Sequence, residues 1–392
     1  MGITQFYACY GTSGKEVNIY EYLEARAQEE KDKGRKYILG IDGFWILHKY
    51  AYDAKIAEAL VKQPDTYNEE FVTRIKAHLL EYLAADLEIV MVFDGAVLGF
   101  KQATEDKRKD AREKAKKEGK WIQAVDITNR HAYWIIKAFE DDARIRFVTA
   151  PFEADAQLAW LAKNGVVDAI LLSDTDLLMQ DLDEVILERK RKVNNIYETY
   201  HEVWPNVFNG DNSRFYKYFY PIILGCDYLP GGIEGVAAKK GKTMIQKLIA
   251  LCDTYLKTEG KDDFQNAGEF IDCILNELVG PFKLEASDLK LLLINVLMSY
   301  RAQPVFYVDF DGKKLIFKDC DALNPKATGV KYGKYVNKDG ILDEDFCINV
   351  AKGYVDPITG TEFTPLANKR RFIDDENTII PKKSINVVDS TN

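Results

Sequence analysis

Short apolar runs that end in an acidic residue recur along the first 230 positions, separated by longer stretches of helical character. YILGID (37–42), IVMVFDG (89–95), IRFVTA (145–150) and DAILLS (168–173) are too short for helices and predict buried strands. Phe71, Ile75, Leu79 and Leu83 recur at four-residue spacing and predict an amphipathic helix leading into the second of these strands. Strands alternating with helices predict an α/β fold with a mostly parallel central sheet flanked by helices. Beyond about residue 295 the character changes. PVFYVDFDGKKLIF reads as a hairpin turning at DG, followed by a polar tail.

The candidate chemistry sits where those runs stop. Asp42, Asp94, Asp174 and Asp176 follow strands, at the carboxyl end where ligands of such sheets gather. Glu153 and Asp155 lie in VTAPFEADAQ, and Pro151 is expected in the first turn of the helix that follows. Asp227, in IILGCDYLP, is the seventh acid. Carboxylates rarely enter apolar surroundings unless paired or metal-bound, so a shared divalent-metal site is the leading reading. A helix cap explains any one of these acids; it explains the ordered series poorly.

Charge adds a second feature. The net charge is −9, yet 101–120 holds nine Lys or Arg against five acids, and RKRK (189–192) and KKGK (239–242) are further basic clusters. Distribution rather than sum decides whether a nucleic acid can bind. By pattern alone, 101–120 is equally a solvated helix of mixed ion pairs. The six cysteines are dispersed without a CxxC pair, which indicates neither a zinc cluster nor a disulfide framework. No 18-residue apolar stretch and no signal-like leader are present, so an intracellular soluble protein with no membrane partner is expected. GKT at 241–243 lacks the Walker A spacing from Gly235, and no clear strand precedes it.

Taken in order, MGI, IDG, FDG, APFEADAQ, SDTDLL and LGCDYLPG resemble the motifs of the flap endonuclease and XPG/Rad2 family of structure-specific 5′ nucleases, over roughly residues 1–290. The resemblance implies a PIN-like nuclease core over 1–295, with a helical arch at about 96–130 and a helix-hairpin DNA-binding element at about 227–250. An extension over 296–392 follows. It also implies two magnesium ions, with manganese as the alternative, held by all seven acids. Asp94, Glu153, Asp155 and Asp174 would lie closest to metal, and Asp42, Asp176 and Asp227 would act through water.

The same resemblance makes Lys101 and Arg108 the catalytic cations that contact the scissile phosphate, and brings Gly2 near the metals. His48 would stack on a terminal base, although by residue pattern it is equally a half-buried surface histidine. With the APFEADAQ wording, it tilts the resemblance toward the exonuclease-1-like branch. Lys107, Lys109, Arg112, Lys239, Lys240 and Lys242 complete the expected DNA-binding set. Spacing after GIEGV is longer than in relatives, which puts the potassium ion of that element in question. No sliding-clamp peptide is recognisable. The implied function is metal-dependent hydrolysis of DNA at 5′ ends, flaps or junctions by a monomer, with RNA left open and a nuclear or other DNA-containing compartment expected. A catalytically weak nucleic-acid-binding scaffold and a phosphohydrolase acting on other substrates are the rival readings.

Overall fold

The computed structural model describes residues 6, 14–206, 215–301, 303–306, 335 and 343–363. Seven strands form one sheet: β1 (Lys15–Val17), β2 (Ile38–Asp42), β3 (Glu88–Phe93), β4 (Ile145–Thr149), β5 (Ala169–Leu172), β6 (Glu184–Val193) and β7 (Ile196–Pro205). Their spatial order is β1-β7-β6-β5-β2-β3-β4. From β6 to β4 every pairing is parallel, whereas β7 pairs antiparallel with both β6 and β1. The sheet is therefore mixed: four of its six pairings are parallel, within the mostly parallel centre expected from the sequence, and one edge is antiparallel. A hairpin makes the difference. Asn194 and Asn195 both adopt the left-handed conformation (φ 49° and 66°), and such two-residue turns match the twist of paired strands. RKRK lies on the outer half of β6, where residues 190–193 are exposed.

The strand-to-helix alternation covers both faces. On one side lie α1 (Ile19–Asp32), α2 (Gly43–Ala51), α3 (Ala54–Lys62), α4 (Glu69–Leu83), α5 (Gln102–Lys117), α6 (Trp121–Ala124) and α7 (Asn129–Ala138). On the other lie α8 (Ala154–Lys163), α9 (Tyr216–Ile223), α10 (Ala238–Glu259), α11 (Ala267–Phe282) and α12 (Ala286–Arg301). Strand β3 shows why its sequence is continuously apolar. Ile89, Met91 and Phe93 join the first core and Val90 and Val92 the second, as a strand buried on both faces requires. On α4 the stripe Phe71, Ile75, Leu79 and Leu83 is buried, and the Asn68 side chain caps the helix by accepting from Phe71 N at 2.9 Å.

Chain order places the candidate site. The path runs β2, β3, β4, and then α8 carries it back to β5 on the other side of β2. The connection reverses at β2 and β5, and the ground beyond their carboxyl ends is where sheets of this kind bind ligands. Two glycines allow the close approaches there. A Cβ on Gly43 would stand 2.4 Å from the Phe93 ring, and one on Gly95 only 2.0 Å from the Ala150 carbonyl oxygen. The DG pairs of IDG and FDG thus have a steric reason.

Past α12, the expected hairpin at 304–317 and the polar tail lie outside the described residues apart from 304–306. What is described docks on the core: α13 (Glu344–Ala351) packs against β4, and the Phe363 ring lies 5.3 Å from that of Tyr133. Among the described residues no helix is long and apolar enough to cross a membrane. Gly43→Ala is expected to destabilise the fold by about 1–3 kcal/mol through overpacking. Gly280→Ala meets no atom within 4 Å in α11 and should stabilise by about 0.5–1 kcal/mol. Urea unfolding of both variants checks the pair; equal effects would refute the steric account.

Candidate active site

Each acid is placed by a local device. Asp42 ends β2 and caps α2, its Oδ1 accepting from Trp45 N at 3.1 Å. Asp94 follows β3 and accepts from Ala154 N at 2.7 Å, so it caps α8 from another loop. Glu153 is the N-cap residue of α8 without capping it by its own side chain, and Asp155 lies in the first turn. Helix α8 begins at Ala154, so Pro151 belongs to the preceding loop and not to the first turn as expected. Burial on both sides of the loop fixes Pro151 there instead, since Ala150 and Phe152 are both core residues. Asp174 follows β5 and accepts from Thr175 N at 2.6 Å, and Asp176 opens the 3₁₀ turn Asp176–Met179.

Electrostatics link all seven. Burial, and then Asp174, push the Asp42 carboxyl up to about 6. Burial, Glu153 and Asp42 push Asp94 up to about 8. Asp155 is raised well above the carboxylate range by burial and by Asp42, Asp174, Asp176 and Asp94 together. Asp176 is raised likewise by burial, Asp174 and Asp227. Asp227 behaves differently. Burial opposes its charge, but Lys101 and Arg108 outweigh burial and hold its pKa below the usual value.

Those two cations come from one segment. Lys101 ends the turn Gly99–Lys101 that leads into α5, and its ammonium pairs with Glu153 and lies 3.5 Å from Asp227. Arg108, two turns along α5, pairs with Glu105 and reaches Asp227 at 3.0 Å. Tyr228 adds a wall that sequence reading missed, its ring 5.5 Å beneath the Lys101 ammonium. Its place directly after Asp227 was the available signal. His48 is half-buried on α2; burial, followed by Arg112 and Arg108, lowers its pKa to about 4, and its Nδ1 has no hydrogen-bond partner. Arg112 pairs with Asp126 at 3.3 Å, while Lys107 and Lys109 are exposed. Lys239, Lys240 and Lys242 are exposed at the start of α10, away from the acids in sequence. Gly241 of GKT lies inside α10 against Leu224, which gives that glycine a packing role. Gly2 lies outside the described residues.

The donor set suits a hard divalent cation: its seven side chains offer only oxygen ligands and are half-buried. As they stand, no three His, Cys, Asp or Glu among the described residues form a group that could hold a metal ion. Lys101 and Arg108 already neutralise part of the charge. Closing the acids on a cation therefore requires side-chain rotation and withdrawal of Lys101 from Glu153.

Comparison with known proteins fits this geometry. A family model for the XPG I-region matches residues 144–211, the span of β4, Glu153, Asp155, Asp174, Asp176 and the β6–β7 hairpin. Exonuclease 1 of Xenopus laevis is 30% identical over 253 residues, covering 58% of this chain. Exodeoxyribonuclease 1 of Schizosaccharomyces pombe is 31% identical over 253 residues, covering 59% of it. The chain is a homologue of the XPG/Rad2 5′-nuclease family. It spans 33% and 42% of the length of those two relatives. In fold it is similar to a solved structure described as the catalytic core of Rad2 in complex with DNA substrate, with a TM-score of 0.51 and 18% identity over 85% of this chain and 97% of that one.

A pH profile tests the half-buried acids of this XPG/Rad2 homologue. A carboxyl whose pKa is raised on folding holds a proton that the unfolded chain releases. Its stabilisation is full below the unfolded value and is lost as pH rises through the folded one. His48, His78 and His131 have lowered values and act in the opposite direction, but only below about pH 6.5, their ordinary pKa. In EDTA, stability is therefore expected to fall from pH 6.5 to 8 by up to about 1 kcal/mol per pH unit. Asp94→Asn should make the slope shallower, and saturating Mg²⁺ should abolish it. Denaturant titrations in EDTA that stay flat across this range would contradict the prediction.

Proposed function

We propose that this chain is a divalent-metal-dependent, structure-specific 5′ nuclease that hydrolyses DNA phosphodiester bonds at 5′ ends, flaps or branched junctions. The observation that carries this reading is the electrostatic coupling of the seven carboxylates to one another, with Lys101 and Arg108 paired to two of them, Glu153 and Asp227. In the same reading the core is PIN-like, and the segment containing α5 and α6 is the helical arch.

Two bound magnesium ions, or manganese in their place, would supply an activated water and charge neutralisation at the phosphate under attack. Asp94, Glu153, Asp155 and Asp174 would be their nearest holders, while Asp42, Asp176 and Asp227 would orient bound water. Lys101 and Arg108 would leave their carboxylate partners and neutralise the scissile phosphate as charge develops on it. His48, a neutral imidazole at pH 7, would offer its ring face to a terminal base. Lys107, Lys109 and Arg112 would hold the strand that enters beneath α5. Lys239, Lys240 and Lys242 would hold duplex backbone without reading sequence. In this reading the chain would act as a monomer in a DNA-containing compartment such as the nucleus. A potassium site near α10 is not needed for this chemistry.

End-labelled flap, nicked, blunt and four-way-junction DNA, incubated with Mg²⁺ or EDTA, provides the test. Cleavage should require Mg²⁺, and Asp174→Ala should reduce it by more than about 100-fold, the upper range for losing even an outer-shell metal partner. Lys101→Met should cost on the order of 100-fold in rate while DNA binding persists. Tight DNA binding with no cleavage in Mg²⁺ or Mn²⁺ would replace this reading with a nucleic-acid-binding scaffold.

A further inference from the structure

Two of the acid-bearing loops are knotted together at Pro151 and Phe152. The Phe152 carbonyl accepts from Gly95 N, the Pro151 carbonyl accepts from Ala96 N at 2.9 Å, and Asp94 Oδ1 accepts from Ala154 N. The spacing between Asp94 and Glu153 is set by these bonds together with the β3–β4 ladder, which ends immediately before them at Phe93 and Thr149 and in the bond from Ala150 N to the Phe93 carbonyl. Gly95 permits the approach. Any larger residue would collide with the Ala150 carbonyl.

A further bond reaches the knot from far along the chain. Tyr335 donates its hydroxyl proton to the Pro151 carbonyl at 2.7 Å, across 184 positions of sequence. It is 3% exposed, with its ring 5.8 Å from Phe152 and 5.5 Å from Phe346 of α13. Its own carbonyl accepts from Asp343 N at 2.8 Å, and the Asp343 side chain caps α13. A continuous packed path thus runs from α13 through Tyr335 to the loop that presents Glu153. On α8, two residues beyond Asp155, the fully buried Gln157 donates to the Phe306 carbonyl at 2.8 Å and accepts from Phe306 N at 2.7 Å.

We infer that Tyr335 is a positioning residue for the metal-binding acids, so that a residue beyond α12 helps to set the geometry of the active site. The inference rests on the nuclease reading above and extends it to residues that carry no acid and lie outside the motif series. If the Tyr335 hydroxyl is removed, Pro151 keeps its bond to Ala96 and the fold survives. The loop then gains freedom, and Asp94 and Glu153 lose the spacing that a shared cation needs.

Tyr335→Phe keeps the ring and removes only the donor. Calorimetric titration of the intact chain with Mn²⁺, without DNA, should show affinity weakened about tenfold, in the range for loss of an outer-shell partner. The Mn²⁺ concentration that half-saturates flap cleavage should rise in parallel, with KM for DNA unchanged. Tyr255→Phe, which removes a hydroxyl bonded to Glu269 at 3.1 Å between α10 and α11, should leave both readouts at wild-type values. Mn²⁺ affinity of Tyr335→Phe within about twofold of wild type would overturn the inference, whatever happens to Tm. So would a wild-type chain that binds no Mn²⁺. A wild type that binds Mn²⁺ but cuts no DNA overturns the nuclease reading alone, and the Mn²⁺ shift still decides the role of Tyr335.

Discussion

Mutual repulsion among half-buried carboxylates is the constraint on which the rest of this structure depends. Asp155 is raised in pKa by burial and by four other acids at once, and no arrangement of those side chains removes the conflict without positive charge. The fold accepts the conflict because its acids sit on rigid supports: strand ends, helix caps and a loop clamp. A flexible site would spread the carboxylates apart and lose any capacity to hold a cation. Lys101 and Arg108 pair with Glu153 and Asp227, and the Lys101 charge also reaches Asp94 and Asp176, whereas the largest influences on Asp155 are burial and four other acids.

That asymmetry connects stability to chemistry. The cations that pair with Glu153 and Asp227 come from the beginning of α5, a polar helix. In the proposed reading their side chains would exchange a carboxylate partner for a phosphate, and the exchange would leave the acids free to take metal. Binding of a substrate phosphate and binding of metal would then assist each other through the same two side chains. The DG pairs contribute at a different level. Gly43 and Gly95 let backbone segments approach closely enough for Asp42 and Asp94 to interact.

Much of this was legible from residues alone because the signals were local. Apolar runs ending in Asp42, Asp94 and Asp174 gave both the strands and the edge at which the acids meet, and the stripe from Phe71 to Leu83 gave α4. The β6–β7 hairpin is hard to read from residues because its outer half, 190–199, is exposed and RKRK lacks the apolar alternation of a strand, so the Asn194–Asn195 turn pair is its main local signal. Pro151 was assigned to a helix turn on propensity, and tertiary burial of its neighbours placed it in the loop. The deep pairing of Lys101 with Glu153 spans 52 positions and the tie from Tyr335 to Pro151 spans 184, so neither leaves a periodic trace. Contacts at such separations arise from topology, which a motif does not encode.

The most direct test of this account is an anomalous difference map from crystals grown with Mn²⁺. The account predicts manganese peaks among Asp94, Asp155 and Asp174, with the Lys101 ammonium withdrawn from Glu153. Crystals that show no peak among these acids at saturating Mn²⁺, with Lys101 still seated between Glu153 and Asp227, would contradict it.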